Sequence, residues 1–122
     1  MTTTVIPKYR GSKEFLLVYS ALISTVRYRG TITYQKVAEI MGLPPQGQHM
    51  GAESGHLLGG ISEDACRHGR PMLSAVAVSG SGVPGGGFFK LTIRLGKFDP
   101  SSGLTEREFW EKERDAVYDT WK

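Results

Sequence analysis

The stretch GSGVPGGG, residues 80–87, is the part of the sequence whose composition most directly indicates a binding loop. If it opens a helix, its free backbone N–H groups suit an anion. It lacks the Gly-Lys-Ser/Thr ending of a Walker loop, and it does not match the GxGxxG turn of dinucleotide-binding proteins. Two interpretations stay open. We favour a mobile hairpin or wing, and the alternative is an anion site made by Gly85, Gly86 and Gly87 with Arg70 and His56.

The single cysteine and the histidines are the other candidates for chemistry. His56, Cys66 and His68 could ligate a metal, but three ligands with no fourth close by make a poor zinc site. Cys66 lies near the end of a predicted helix with no evident carboxylate pair to orient a base, so we interpret it as a small packed side chain. We predict no metal, no cofactor and no catalytic residue.

Composition and charge limit the class of protein. The 122 residues have room for one domain, with 39% hydrophobic and 22% charged residues. The longest apolar run, EFLLVYSALISTV, falls short of the roughly 20 residues that span a bilayer, so we expect no membrane span and no signal peptide. One cysteine excludes an internal disulfide and fits a cytoplasmic protein. The net charge of +3 and pI near 9.1 permit nucleic-acid or nucleotide partners.

The first predicted helix begins after Ser12 as its cap and ends near Gly30. Apolar residues recur along it at spacings of three and four: Phe15, Leu16, Tyr19, Leu22, Ile23 and Val26. Arg27 and Arg29 lie in its last turn, where cations favour the negative end of the helix dipole. Whether these two arginines serve the helix end or contact a ligand stays open.

Two further helices form a helix-turn-helix candidate. Thr33 caps a short helix that ends at Gly42, and a second helix is predicted to begin near Ser54. Gly59 and Gly60 lie inside the second helix. Because each glycine costs about 1 kcal/mol in a helix interior, we expect a close backbone contact there.

In the second half of the chain, some segments are assigned from their pattern and one is left open. Residues 72–79 read as a buried strand, since their apolar residues do not alternate. Residues 88–95 fit a strand or a helix equally well. Thr105 and Glu108 form a capping box ahead of a terminal helix of about four turns, which carries Phe109, Trp110 and Trp121.

The segment GTITYQKVAEIMG, residues 30–42, resembles the G-x-V-T-T-Y-G-x-I-A-x-x-x-G segment of the alkylguanine DNA alkyltransferases and alkyltransferase-like proteins. HLLGGI, Pro71, MLSAVAV and GGFFKLTIRL then follow in the order in which that family has a helix, a proline with its reactive cysteine, two valines and a G-G-x-x-x-K-x-x-L-L segment. The similarity covers about residues 30–96. It implies an α/β (α+β) fold of winged-helix-like type, with a helix-turn-helix, a small strand or hairpin, and an added helix at each end.

The departures from that family concern its chemistry. Met72 stands where the family has its nucleophilic cysteine, and Leu73 stands where it has the activating histidine. His56 takes the place of the arginine that props open the base stack, whereas Tyr34 matches the family's tyrosine. Nucleophilic alkyl transfer needs a thiol and a base, so the resemblance implies binding without catalysis.

The chain also resembles small phage and bacterial proteins that combine Y-x-x-V-A-x-x-x-G, a P-x-L-[ST]-x-x-V-V strand and G-x-P-G-x-G-F. This second resemblance implies a mobile-element or anti-defence setting.

DNA binding is the first functional hypothesis, with the helix near Ser54 as the recognition surface. The alternatives are capture of a nucleotide-type small molecule by the glycine loop, and inhibition of a larger enzyme through the aromatic C-terminal helix. The predicted binding residues are Tyr34, Lys36, Ser54, His56, Arg67, Arg70, Gly85, Gly86 and Gly87.

Overall fold

The chain forms a helix-rich α+β fold, described by a computed structural model over residues 12–43 and 48–121, with the backbone alone for 48–52. Ile32 and Thr33 pair in parallel with Ala77 and Val78, which makes a sheet of two very short strands. The elements in chain order are α1 (Lys13–Arg27), β1 (Ile32–Thr33), α2 (Tyr34–Met41), α3 (Gln48–Arg67), a 3-10 helix (Leu73–Val76), β2 (Ala77–Val78), α4 (Gly86–Arg94), a second 3-10 helix (Pro100–Ser102) and α5 (Glu106–Thr120).

Helix α1 begins where the sequence predicts. The Ser12 hydroxyl accepts a hydrogen bond from the Phe15 N–H at 3.1 Å, which satisfies one of the free donors of the first turn. The buried stripe of α1 consists of Phe15, Val18, Leu22 and Val26. Leu16, which was expected in that stripe, is 64% exposed. The apolar face is therefore centred on Val18.

Helix α2 confirms both of its predicted ends. The Thr33 hydroxyl accepts from the Lys36 N–H at 3.2 Å, and Gly42 closes the helix in the left-handed conformation with φ of 79°. A residue with a Cβ is disfavoured at such a φ, which is why glycine stands there. The buried residues Val37, Ala38 and Met41 face the core.

Helix α3 differs from the prediction, because it starts at Gln48 and not near Ser54. Ser54 is 2% exposed. It lies three or four residues before Leu57 and Leu58, which puts it on the same buried face of the helix. The close contact predicted at Gly59 is also wrong, since a Cβ added there would meet no atom within 4 Å.

The predicted strand at 72–79 is wrong for most of its length. Leu73–Val76 form a 3-10 helix, and only Ala77 and Val78 pair with β1. Residues 72–78 are all buried, so the unbroken apolar run reflects burial on every side and not a strand in a larger sheet. Polar groups of other elements satisfy this backbone: the Trp110 Nε1–H donates to the Ala75 carbonyl at 2.7 Å, and Ser74 N–H donates to the Ser62 hydroxyl at 3.3 Å.

The stretch 88–95, which could not be assigned from its pattern, is helical up to Arg94 as part of α4, with Leu95 as the C-cap. Phe88, Phe89 and Thr92 are buried on one side of the helix. The Thr92 hydroxyl donates to the Phe89 carbonyl at 2.7 Å, so this β-branched residue is accommodated inside the helix. Because the glycine-rich stretch leads into a helix, the favoured hairpin at residues 80–87 is also wrong.

Helix α5 confirms the predicted capping box. The Glu108 N–H donates to the Thr105 hydroxyl at 3.0 Å, and the Thr105 N–H donates to the Glu108 carboxylate at 2.8 Å. Hydrogen bonding to Thr105 lowers the pKa of Glu108, and the hydrogen bond from the Thr105 backbone N–H makes the largest contribution. The face of α5 that packs against the core includes the buried residues Phe109, Trp110 and Val117.

No helix in the described ranges is both long and apolar enough to cross a membrane.

Candidate nucleic-acid interface

Tyr34 anchors the glycine-rich loop. Its hydroxyl accepts the Gly85 N–H at 2.9 Å, across a long separation in the chain. Burial raises the pKa of Tyr34, so the phenol stays protonated at neutral pH. The structure thus brings together two predicted binding residues, Tyr34 and Gly85, in a contact that positions the loop.

Gly86 and Gly87 are exposed at the start of α4, and a Cβ added to either would meet no atom within 4 Å. The described glycines with positive φ include Gly82 but none of residues 85–87. Backbone conformation therefore explains Gly82 and leaves Gly86 and Gly87 without a conformational requirement. The rest of the loop closes on itself, since the Ser79 N–H donates to the Val83 carbonyl at 2.9 Å.

The cleft beside the glycine loop does not include the residues expected to complete an anion site. It has a volume of about 260 Å³, and its lining contains neither Arg70 nor His56. The lining residues are Val83, Pro84, Phe89, Glu106, Arg107 and Trp110.

The predicted contacts on α2 and α3 do not form one cluster. Lys36 is exposed in the first turn of α2. His56 is exposed on α3, with its Nδ1 at 3.8 Å from the carboxylate of the buried Glu53. Ser54 is corrected from a surface contact to a core residue, because the residue is only 2% exposed and is closed to a DNA ligand. Arg67 and Arg70 lie together at the exposed end of α3.

Arg70 lies against an aromatic side chain of another helix. Its guanidinium carbon is 5.0 Å from the centroid of the Trp121 ring, a distance typical of a cation–π contact. The Arg70 N–H donates to the Ala65 carbonyl at 2.9 Å, which holds the chain as it leaves α3. The buried Trp121 Nε1 has no hydrogen-bond acceptor among the described residues.

Arg29 makes the matching contact at the end of α1. Its guanidinium carbon is 5.1 Å from the centroid of the Tyr118 ring. The Tyr118 hydroxyl donates to the Gly30 carbonyl at 2.6 Å, which ties the end of α1 to α5. Burial raises the pKa of Tyr118, so this phenol also remains a hydrogen-bond donor.

These contacts define one surface, because Tyr118 and Trp121 are three residues apart and neighbouring on the same side of the end of α5. We call it the arginine–aromatic surface. Among residues 12–43 and 48–121, the structure describes no ion pair for Arg27, Arg29, Arg67 or Arg70, although it describes ion pairs for Arg94, Arg107 and Arg114. Its contacting residues are Arg29, Arg70, Tyr118 and Trp121, and the exposed Arg27 and Arg67 lie close to Arg29 and Arg70 in the chain.

Sequence reasoning found Arg67 and Arg70 and left Arg27 and Arg29 undecided, but it missed Tyr118. The local sequence carries no signal for Tyr118, because only the fold brings α5 to the end of α1.

The segment that was expected to correspond to the alkyltransferase nucleophile lies in the interior. Met72 and Leu73 are both fully buried. The Met72 N–H donates to the Glu113 carboxylate at 2.8 Å, and the Lys97 ammonium lies 3.2 Å from the same carboxylate. Glu113 therefore satisfies a buried backbone donor, which is a structural role.

Cys66, His56 and His68 do not converge. The structure groups no three His, Cys, Asp or Glu side chains that could hold a metal within the part of the chain that it describes. The His68 Nδ1 lies 2.8 Å from the Asp64 carbonyl of its own helix. Burial raises the pKa of the Cys66 thiol, which lowers its thiolate fraction at neutral pH.

The aromatic residues of α5 are largely committed to the interior. Phe109, Trp110 and Tyr118 are 8%, 3% and 6% exposed. The hypothesis of a protein interaction through this helix requires exposed rings, and these three rings are not exposed.

No protein-family model, no curated protein and no solved structure matches this chain.

Proposed function

We propose that this protein binds DNA without catalysis, through the arginine–aromatic surface and a winged-helix-like helix-turn-helix formed by α2 and α3. The observation that carries the proposal is the set of four arginines for which the described residues provide no ion pair. Two of them, Arg29 and Arg70, lie on the rings of Tyr118 and Trp121. Unpaired guanidinium groups on a surface are suited to phosphate oxygens, which they bind in bidentate fashion.

The helix pair supports the same proposal. Helix α2 packs against α3, and the exposed side of α3 carries Gly55 and His56, with the half-buried Gly59 one turn further on. A Cβ added at Gly55 or Gly59 would meet no atom within 4 Å, so the helix backbone is open to close approach by a partner. Lys36 at the start of α2 and Arg67 at the end of α3 would add phosphate contacts.

Binding of duplex DNA should depend steeply on salt. With about three to five phosphate contacts, a plot of log affinity against log salt concentration should have a slope near minus three to minus five. Fluorescence anisotropy of a labelled duplex, titrated at several salt concentrations, measures this slope. The proposal fails if the protein binds neither duplex nor single-stranded DNA at low salt.

Alkyl transfer from alkylguanine DNA to the protein is expected not to occur. The position of the nucleophile holds the buried Met72, and burial raises the pKa of the one thiol, Cys66. Incubation with DNA that carries a labelled alkylguanine should leave the protein unlabelled, as judged by intact-protein mass spectrometry. Stoichiometric labelling that disappears in Cys66→Ser would instead identify the protein as an alkyltransferase.

A further inference from the structure

We infer that Tyr28, with Arg27 and Arg29 beside it, is a stacking site for an unpaired base, so that the protein recognises single-stranded nucleic acid. This inference rests on the proposed function and deepens it, since it names the form of nucleic acid that the arginine–aromatic surface takes. The reasons are the exposure of Tyr28, the conformation of Arg29 and the charge around both.

Within residues 12–43 and 48–121, no described contact accounts for the side chain of Tyr28. It is the C-cap residue of α1, and its backbone N–H bonds to the Thr25 carbonyl at 3.2 Å. Among the large hydrophobic residues whose side chains the structure describes, Tyr28 is the most exposed, at 84%. The structure describes no hydrogen bond or ring contact of the Tyr28 side chain with any described residue. The ring is therefore available on its faces to a partner.

Arg29 has a backbone conformation that is unfavourable for a residue with a side chain. Its φ is 56°, in the left-handed region, and it is the one described residue other than glycine with a positive φ. Glycine is the usual residue at this position after a helix, and Gly30 follows directly. Hydrogen bonds from the Arg29 N–H to the Val26 carbonyl at 2.8 Å and from the Gly30 N–H to the Thr25 carbonyl at 3.1 Å maintain the turn.

The two side chains that follow Arg27 have different surroundings. Arg29 points to α5, where its guanidinium lies 5.1 Å from the centroid of the Tyr118 ring, while Tyr28 remains exposed to solvent. A backbone outlier supported by its surroundings is typical of a binding site. The turn thus presents one aromatic ring with an arginine on each side of it in the chain.

An aromatic ring between two arginines fits an unpaired base better than a base pair. In a duplex, both faces of each internal base are covered by neighbouring bases, so a protein ring finds nothing to stack on. In a single strand, a base can stack on the ring while the flanking phosphates contact the cations, and such stacking tolerates any base. The ring of Tyr28 would add affinity for single strands and none for an intact duplex.

The test compares two probes and two variants by fluorescence anisotropy. The probes are an oligothymidine of about ten nucleotides, within the usual range of binding-site sizes, and a blunt duplex. Tyr28→Ala is expected to weaken binding of the oligothymidine by about tenfold or more and to leave duplex affinity unchanged. Tyr28→Phe keeps the ring and should bind both probes as the unchanged protein does. Both variants should keep the melting temperature, because the side chain is 84% exposed.

The outcomes separate the two proposals. If duplex DNA binds but Tyr28→Ala binds oligothymidine as well as the unchanged protein does, the stacking site is refuted and the proposed function remains. Equal losses for both probes also refute it, because Tyr28 would then contribute without regard to strandedness. If neither probe binds at low salt, the proposed function and this inference fail together.

Discussion

Replacing Arg29 and Arg70 together by glutamine is expected to weaken binding of duplex DNA on the order of 100-fold at about 50 mM salt. Each phosphate contact changes the slope of log affinity against log salt by about 0.9, which at this salt concentration corresponds to roughly 15-fold in affinity. The two guanidinium groups lie on the rings of Tyr118 in α5 and of Trp121, the residue that caps its C-terminal end, and the described residues provide no carboxylate for either. Anisotropy titrations should also show that the slope becomes shallower by about two.

A matched control removes the same number of charges elsewhere. Arg94 and Arg107 are paired with Glu63 at 2.8 Å and with Glu111 at 3.4 Å. Replacing these two arginines by glutamine also lowers the net charge by two, but it removes cations that carboxylates already neutralise locally. We expect a much smaller loss of affinity. If the control weakens binding as strongly, net charge and not the arginine–aromatic surface determines the interaction.

Replacing Trp110 by alanine is expected to reduce the free energy of unfolding by about 3–5 kcal/mol, the usual cost of deleting a buried aromatic side chain. Trp110 is 3% exposed and packs α5 against the buried 3-10 helix. Its Nε1–H is also a hydrogen-bond donor to the Ala75 carbonyl at 2.7 Å. Because domains have only about 5–15 kcal/mol of stability, this loss should be visible in a urea unfolding curve followed by circular dichroism.

Two further variants identify the cause of that loss. Trp110→Phe keeps most of the apolar area but leaves the buried Ala75 carbonyl without its donor, which should cost about 1–3 kcal/mol. Leu16→Ala, at a side chain that is 64% exposed, should change stability by less than about 0.5 kcal/mol. A loss below about 1 kcal/mol for Trp110→Ala would show that α5 does not complete the core.

The sequence predictions that the structure confirms most directly concern helix ends, which depend on neighbouring residues. Ser12, Thr33 and Thr105 each cap a helix as expected, and Gly42 ends α2 with a φ of 79°. A cap is a hydrogen bond between residues two or three apart, so the local sequence contains all the information that it requires. The start of α3 was mistaken because Ser54 has the chemistry of a cap but finds its place in the core.

The predictions that failed concern segments whose environment comes from distant residues. The buried run at 72–78 is mostly a 3-10 helix because Glu113, Trp110 and Ser62 supply its hydrogen bonds, which removes the need for a strand partner. For residues 88–95 the apolar pattern allowed either structure. Burial of Phe88, Phe89 and Thr92 on one side accords with the helix that forms.

The sequence by itself determined four helix boundaries, at Ser12, Thr33, Gly42 and Thr105, and it identified Arg67 and Arg70 as candidate contacts. Only the tertiary structure decided that Arg29 meets Tyr118 and Arg70 meets Trp121. The physical reason is distance along the chain: periodicity and capping act within a few residues, whereas these rings reach the arginines only when α5 folds back on the ends of α1 and α3.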